Sequence, residues 1–383
     1  MKNMLWFLKK HGNKSFEEMP FCEADALIMS EVCYLALELF AKDKNDEIML
    51  KDILNPINAK KLAYGCTTRP RAEKMCIYWP KTTRYDKVYF KYYRSIIDND
   101  LEEQFFAVTF FIEDLVYVVY RGTDLTLSGW IENLNMMYMD VVPSQIDAVN
   151  YLNELYSLYK CDMIVGGHSK GGNLAVYAAV HADEEVRDHI TKIYDFDGPG
   201  VLDKSFFKKP SFKEIEGRIS AMSSTMSVVA MLLYNVKNIE FLKTSGFTVL
   251  QHDPFNWHIK DNGTFVRVKR NSISSRYLAK AVDNFFETTD IDERERYANI
   301  LTYVVREKPD SSLLDIKHHP FGYIKKARER KKLLADEDRH FYKSFSKHIT
   351  GSFKTVLRIE LRERKRLRKA LKKNFIPEKN IKF

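Results

Sequence analysis

An α/β fold with a mostly parallel central sheet is predicted by three features of this 383-residue sequence. Three runs, Leu115–Tyr120, Met163–Val165 and Ile193–Phe196, read as strands, the second apolar and partly β-branched as suits a buried one. A helical pattern over Ser144–Tyr159 lies between the first two, which makes a βαβ unit with parallel strands. Between the second and third, Gly166-Gly-His-Ser-Lys-Gly-Gly172 joins a strand directly to the Ala- and Leu-rich helix Leu174–Val180.

The composition allows such a core. Hydrophobic residues make up 45% of the chain and aromatic residues 13%, ample for a core and consistent with one large domain or two smaller ones. Five scattered cysteines form no CxxC pair, so a disulfide framework or zinc site is not expected and a reducing compartment is. The apolar run within Met1–Lys10 is too short for a signal peptide, and no run reaches membrane-spanning length. These features predict a cytoplasmic protein.

Taken in order, residues 1–20 read as a basic, poorly ordered segment. A buried helix is expected from Glu23 to Phe40, where apolar residues recur at helical spacing. Residues 85–99 read as a tyrosine-rich strand or irregular stretch. Phe105–Ile112 and Leu115–Tyr120 form a hairpin about Glu113-Asp114. In the helix Ser144–Tyr159, Ile146, Val149, Leu152, Leu155, Tyr156 and Tyr159 share a face. Further strands are expected at Arg218–Met222 and Phe247–Leu250, and Asn262-Gly263 marks a turn before Thr264–Val268. Beyond residue 270 glycine nearly vanishes and helical spacing dominates, with helices over 273–308 and 320–372. The division is therefore 1–20, 21–269 and a basic helical extension 270–383.

The chemistry centres on Ser169. Gly167-His168-Ser169-Lys170-Gly171 fits G-x-S-x-G, the sharp strand-to-helix turn called a nucleophile elbow. Gly167 and Gly171 are needed because neighbours with a Cβ would clash in so tight a turn. In α/β-hydrolases the acid and then the histidine follow the serine along the chain. His252 is the candidate base, since it follows a strand-like run and is fixed by Pro254 and Trp257; His258 is second. His168 is too close to Ser169 in the chain, and His181 and His189 lie on or after the elbow helix. Asp197 ends a strand in Phe-Asp-Gly-Pro-Gly and is the candidate acid, with Asp195 second. Asp197 as a mere turn cap stands as the plain alternative. If no carboxylate reaches His252, Ser227 could orient it.

Arg121-Gly-Thr, Gly129-Trp130 with Asn133, and Gly-His-Ser-x-Gly-Gly-Asn-Leu-Ala resemble the fungal-type class 3 lipases. The nearer resemblance is to a bacterial family of lipase-like α/β-hydrolases, which carries "GHSKGGNLAVYAA", "DGPG" and "QHDP…W" stretches. It covers roughly residues 20–268 and not the basic tail. It implies an α/β-hydrolase fold and an acyl-ester hydrolase that needs no metal or organic cofactor. It also implies an oxyanion hole from the backbone N–H groups of Thr123 and Lys170, in line with the rule that the residue after the nucleophile donates. Lys170 stands where the lipases have leucine, which implies a more positive mouth. The lipases' acid belongs on the loop matching Ser223–Val228, which holds no carboxylate here. Vertebrate pancreatic-type lipases place theirs at the earlier strand, which favours Asp197. Whether a lid covers the site is left open by the sequence; residues 55–95 and 228–246 are the segments that could form one.

The net charge of +9 concentrates in Arg362–Lys373. A solvated helical face is the plain reading of such a run. Contact with an anionic membrane surface is the sharper one. Too few aromatics lie in 354–373 for base stacking, so nucleic acid is not an expected partner. The expected function is cleavage of an acyl or lipid ester through Ser169, His252 and Asp197. The rival is a non-catalytic hydrolase-fold scaffold or membrane-surface module.

Overall fold

The strands of the single eight-stranded sheet lie side by side in chain order, β1 to β8. They are β1 Ile48–Met49, β2 Tyr89–Asp98, β3 Glu103–Ile112, β4 Leu115–Tyr120, β5 Met163–His168, β6 Ile190–Phe196, β7 Ile219–Ser224 and β8 Glu240–Leu242. The computed structural model describes residues 1–246, 248–269, 273–306 and 319–374. Pairings from β1 through β4 are antiparallel, and those from β4 through β8 are parallel. The protein is thus α/β with a mixed sheet whose larger half is parallel.

This strand order dictates where the helices go. Parallel strands added always on the same side, through right-handed crossovers, send each connecting helix to the same face. Helix α5 (Pro143–Tyr159) links β4 to β5, and α6 (Lys170–His181) links β5 to β6. Ala148, Leu152 and Leu155 of α5 and Leu174, Ala175 and Ala178 of α6 pack together over Val118, Val165 and Ile193. The opposite face is covered from the N-terminal side by α1 (Met4–His11), α2 (Glu23–Val32) and α3 (Arg69–Tyr78). The remaining longer helices are α4 (Leu127–Asn135), α7 (Ile273–Thr288), α8 (Ile291–Val305), α9 (Pro320–Leu333) and α10 (Asp336–Asn374).

Several expectations are corrected. The first twenty residues are not a loose basic segment. Met4, Phe7, Leu8 and His11 of α1 are all buried, at the i, i+3, i+4, i+7 spacing of one helix face. Helix α2 ends at Val32 rather than Phe40, because the chain turns there into the grip of Arg121. That guanidinium donates to the carbonyls of Cys33 (2.6 Å) and Leu35 (2.8 Å) and lies 3.6 Å from the centre of the Phe106 ring. On α5 the buried stripe is rotated from the expected one. Ile146 is exposed, while Ala148 and Tyr151 are buried and the Tyr151 hydroxyl pairs with Thr109 Oγ1 at 2.8 Å. The expected strand at Phe247–Leu250 is absent. Thr248–Gln251 is a turn of 3₁₀ helix, Phe247 lies outside the described residues, and β8 forms the sheet edge. Thr264–Val268 contributes isolated bridges rather than a strand.

The boundary expected at residue 270 falls in 270–272, outside the described residues. The helices beyond it do touch the sheet domain: Arg294 of α8 donates to the Met137 carbonyl at 2.8 Å. No helix among the described residues is long and apolar enough to cross a membrane. Residues 307–318 and 375–383 of the expected helical extension also lie outside the described residues.

Candidate active site

The carboxyl ends of β4, β5, β6 and β7 meet at one edge of the sheet, where open α/β sheets form their ligand crevice. Ser169 follows β5 immediately and has φ 59°, ψ −130°, a strained conformation for a residue with a side chain. Its N–H donates to the Phe196 carbonyl at 2.9 Å, which ties the turn to β6. The glycines explain how so sharp a turn fits. A Cβ on Gly167 would lie 2.5 Å from the Gly171 backbone, and one on Gly171 would lie 2.1 Å from the Tyr120 carbonyl oxygen.

His252 sits across from the serine on the loop after β8. That loop is held by its own side chains. Trp257, fully buried, donates its indole N–H to the Gln251 carbonyl at 2.9 Å, and the Asn256 amide donates to Leu250 at 2.7 Å. The His252 ring is thereby presented with Nε2 at 3.0 Å from Ser169 Oγ and Nδ1 at 2.6 Å from Asp197 Oδ2. Asp197 is 1% exposed, directly follows β6, and has φ +60°. Its N–H donates to Met222 of β7 at 2.7 Å. Its second carboxylate oxygen accepts the hydroxyl of Ser223. With Nδ1–H committed to the carboxylate, Nε2 is left as the acceptor facing the serine hydroxyl.

The second choices are elsewhere. Asp195 accepts the Gly198 N–H at 2.9 Å beneath α6, and burial pushes its carboxyl up to about 7. His258 pairs with Ser245 Oγ at 2.8 Å. The hydroxyl of Ser227 accepts the Ala230 N–H at 3.5 Å. Asp253 is paired with Arg71 and accepts the Phe255 N–H at 3.0 Å.

Thr123 and Lys170 both line the cavity beside Ser169. Among the described residues neither backbone N–H is spent on another group, so both are free to meet an anion. The Thr123 hydroxyl accepts from the Asn133 amide at 2.6 Å, which fixes that residue from α4. The expectation of a positive mouth is corrected. The Lys170 side chain is fully buried, with Nζ 2.5 Å from both Glu132 Oε2 and the Gln104 carbonyl. Glu132 is the residue before Asn133, so one turn of α4 holds both Thr123 and Lys170. A buried ion pair broken on one side leaves an uncompensated charge. We therefore expect Lys170→Leu to lower stability by about 3–5 kcal/mol in denaturant unfolding. Lys170→Leu with Glu132→Gln should recover much of that loss. Equal losses in the single and double variants would count against the pairing.

The cavity over these residues holds about 500 Å³, a usual size for a small-molecule site. Leu134, Met136, Met137, Val229, Leu232 and Leu233 give it an apolar wall. Thr67 and Thr68 line it as well, so both segments that could form a lid contribute to it. His168 lies beneath, its ring 4.7 Å from that of His252, with Nε2–H donating to the His252 carbonyl at 3.1 Å. Burial holds the His168 pKa well below the usual histidine value, so this ring is neutral. Among the described residues there is no cluster of His, Cys, Asp and Glu able to hold a metal ion.

Sequence reasoning did not find the parts played by Ser223 and Glu132, whose partners Asp197 and Lys170 lie far off in the chain.

The arrangement is that of an α/β protein with a serine, a histidine and an aspartate in one hydrogen-bonded line at the crevice. Residues 79–302 match the Mbeg1-like family, and the chain belongs to it. The match runs from Trp79, before β2, to within α8, past the boundary expected at 270. No curated protein and no solved structure matches the chain.

Proposed function

We propose that this protein is a serine hydrolase of the α/β-hydrolase type that cleaves carboxylic esters of acyl or lipid character. The observation that carries the reading is the His252 ring spanning Ser169 Oγ and Asp197 Oδ2. In this mechanism Ser169 Oγ attacks the acyl carbon while His252 Nε2 takes its proton. Asp197 holds Nδ1–H and stabilises the imidazolium that forms. The N–H groups of Thr123 and Lys170 receive the developing oxyanion, aided by the N-terminus of α6. The imidazolium then protonates the leaving alcohol, and His252 activates water to release the acid. The apolar wall from α4 and residues 229–233 suits an acyl chain.

A fluorophosphonate probe tests the reading, because only an activated serine reacts with it. Mass spectrometry should find the adduct on Ser169 and on no other serine. A protein that stays unlabelled would instead be a hydrolase-fold scaffold.

The proposal includes a cytoplasmic location with peripheral membrane contact through the basic end of α10. Lys354, Arg358, Arg362, Lys365 and Arg366 are exposed there. Each could contribute about 1 kcal/mol near an anionic bilayer, a sum that falls with salt. Removing residues 354–383 should spare activity on soluble short-chain esters and weaken co-sedimentation with anionic liposomes at low salt. Equal binding by both forms would leave the tail as a solvated helix.

A further inference from the structure

Glu31 of α2 is a carboxyl group that the chemistry above does not use. It is 4% exposed and lines the cavity. Among the described residues its Oε1 is buried with no hydrogen-bond partner. Oε1 comes only to 3.4 Å from His168 Nδ1, outside bonding geometry. A buried carboxyl with no partner costs stability, and a leucine of similar bulk would not carry that cost. The group works against the fold where it stands, which is characteristic of side chains that await a ligand.

Its position selects which half of an ester it would meet. The oxyanion side of the site is built from Thr123, Lys170 and α4. Glu31 lies with His168, which in turn contacts the His252 loop. The leaving alcohol must approach His252 Nε2 to receive its proton, so the alcohol half is the one near Glu31. Tyr34, Thr67 and Thr68 also line the cavity, and the Cys66 thiol beside Thr67 meets the Tyr34 carbonyl at 3.2 Å. These lining residues are polar, whereas the wall from α4 and residues 229–233 is apolar.

We propose that Glu31 is a hydroxyl-binding subsite for the leaving alcohol, so that the preferred substrates are acyl esters of polyols such as glycerol. The inference rests on the hydrolase reading above and names its substrate class. Burial raises the Glu31 carboxyl well above the usual carboxylate range. In its protonated form the group both donates and accepts, as a hydroxyl partner requires. An ammonium group, which only donates, would use half of that capacity. The other nearby acid, Asp253, is already tied to Arg71.

The test compares glycerol monooctanoate with ethyl octanoate, which share an acyl chain, on the full-length protein. The wild type should favour the glycerol ester in kcat/KM by at least about tenfold, as sites built to bind a hydroxyl reject analogues without one. Glu31→Leu should bring that ratio close to unity, the loss on the glycerol ester exceeding the loss on the ethyl ester by about tenfold. Its melting temperature should rise, which a residue with a structural role would not produce. Glu31→Gln, which can still donate and accept, should keep part of the preference. No preference in the wild type, an unchanged ratio in Glu31→Leu, or equal losses on both esters would overturn the subsite. Cleavage of ethyl octanoate without preference removes the subsite alone. Cleavage of neither ester, with no fluorophosphonate adduct, removes the hydrolase reading together with it.

Discussion

Ser169→Ala is expected to lower hydrolysis of p-nitrophenyl esters by about 10⁴-fold or more, while circular dichroism and the melting temperature stay near those of the parent. The loss should be this large because, on the proposed mechanism, the serine oxygen both attacks the acyl carbon and gives its proton to His252 Nε2, 3.0 Å away. Without it, water would have to attack without a fixed position, leaving only the free N–H groups of Thr123 and Lys170 to assist. The fold should tolerate the change because, among the described residues, the Ser169 hydroxyl meets His252 alone. The turn is set by its backbone, through the N–H bond to Phe196 and the close packing of Gly167 and Gly171 against the Tyr120 strand end. A variant that turned over the esters as fast as the parent would exclude Ser169 as the nucleophile.

The parts of this site that depend on backbone shape were legible in the sequence. A strand, four glycines about a serine, and an Ala-rich helix leave few ways to fold, and β5, Ser169 and α6 follow that pattern. Asp197 was legible for the same reason, since it directly follows the Ile193–Phe196 run that forms the end of β6. What could not be read were contacts between side chains far apart in the chain. Lys170 looked like a surface charge because Glu132, its buried partner, lies 38 residues earlier. Ser223 stood in a loop with no carboxylate, and nothing local indicates that its hydroxyl turns to Asp197, 26 residues away. Helix α1 was a different failure. Met4, Phe7, Leu8 and His11 have helical spacing, but Lys9 and Lys10 between them gave the segment the texture of a basic tail. The strand expected at Phe247–Leu250 failed because apolar content alone does not separate a strand from a packed turn. Even so, the loop it belongs to does deliver His252.

Asp197→Asn should lower kcat by about two to four orders of magnitude, with smaller change in KM. The physical reason is a tautomer fixed by two neighbours at once. The Ser223 hydroxyl donates to Oδ1, so an asparagine would place its carbonyl oxygen there and turn its NH₂ toward His252 Nδ1. An NH₂ group cannot accept, so Nδ1 would have to be the acceptor and the ring proton would move to Nε2. Nε2–H then faces Ser169 Oγ and cannot take its proton. The backbone should not be disturbed, because asparagine tolerates the φ of +60° found at this position. Asp253→Asn is the matched control. It adjoins His252 in the chain, but its carboxylate is engaged by Arg71 and the Phe255 N–H, so its removal should cost about tenfold at most through loosening of the loop. Measuring kcat for both variants on one ester ranks the two carboxylates directly. A larger loss for Asp253→Asn than for Asp197→Asn would reverse the assignment of the acid.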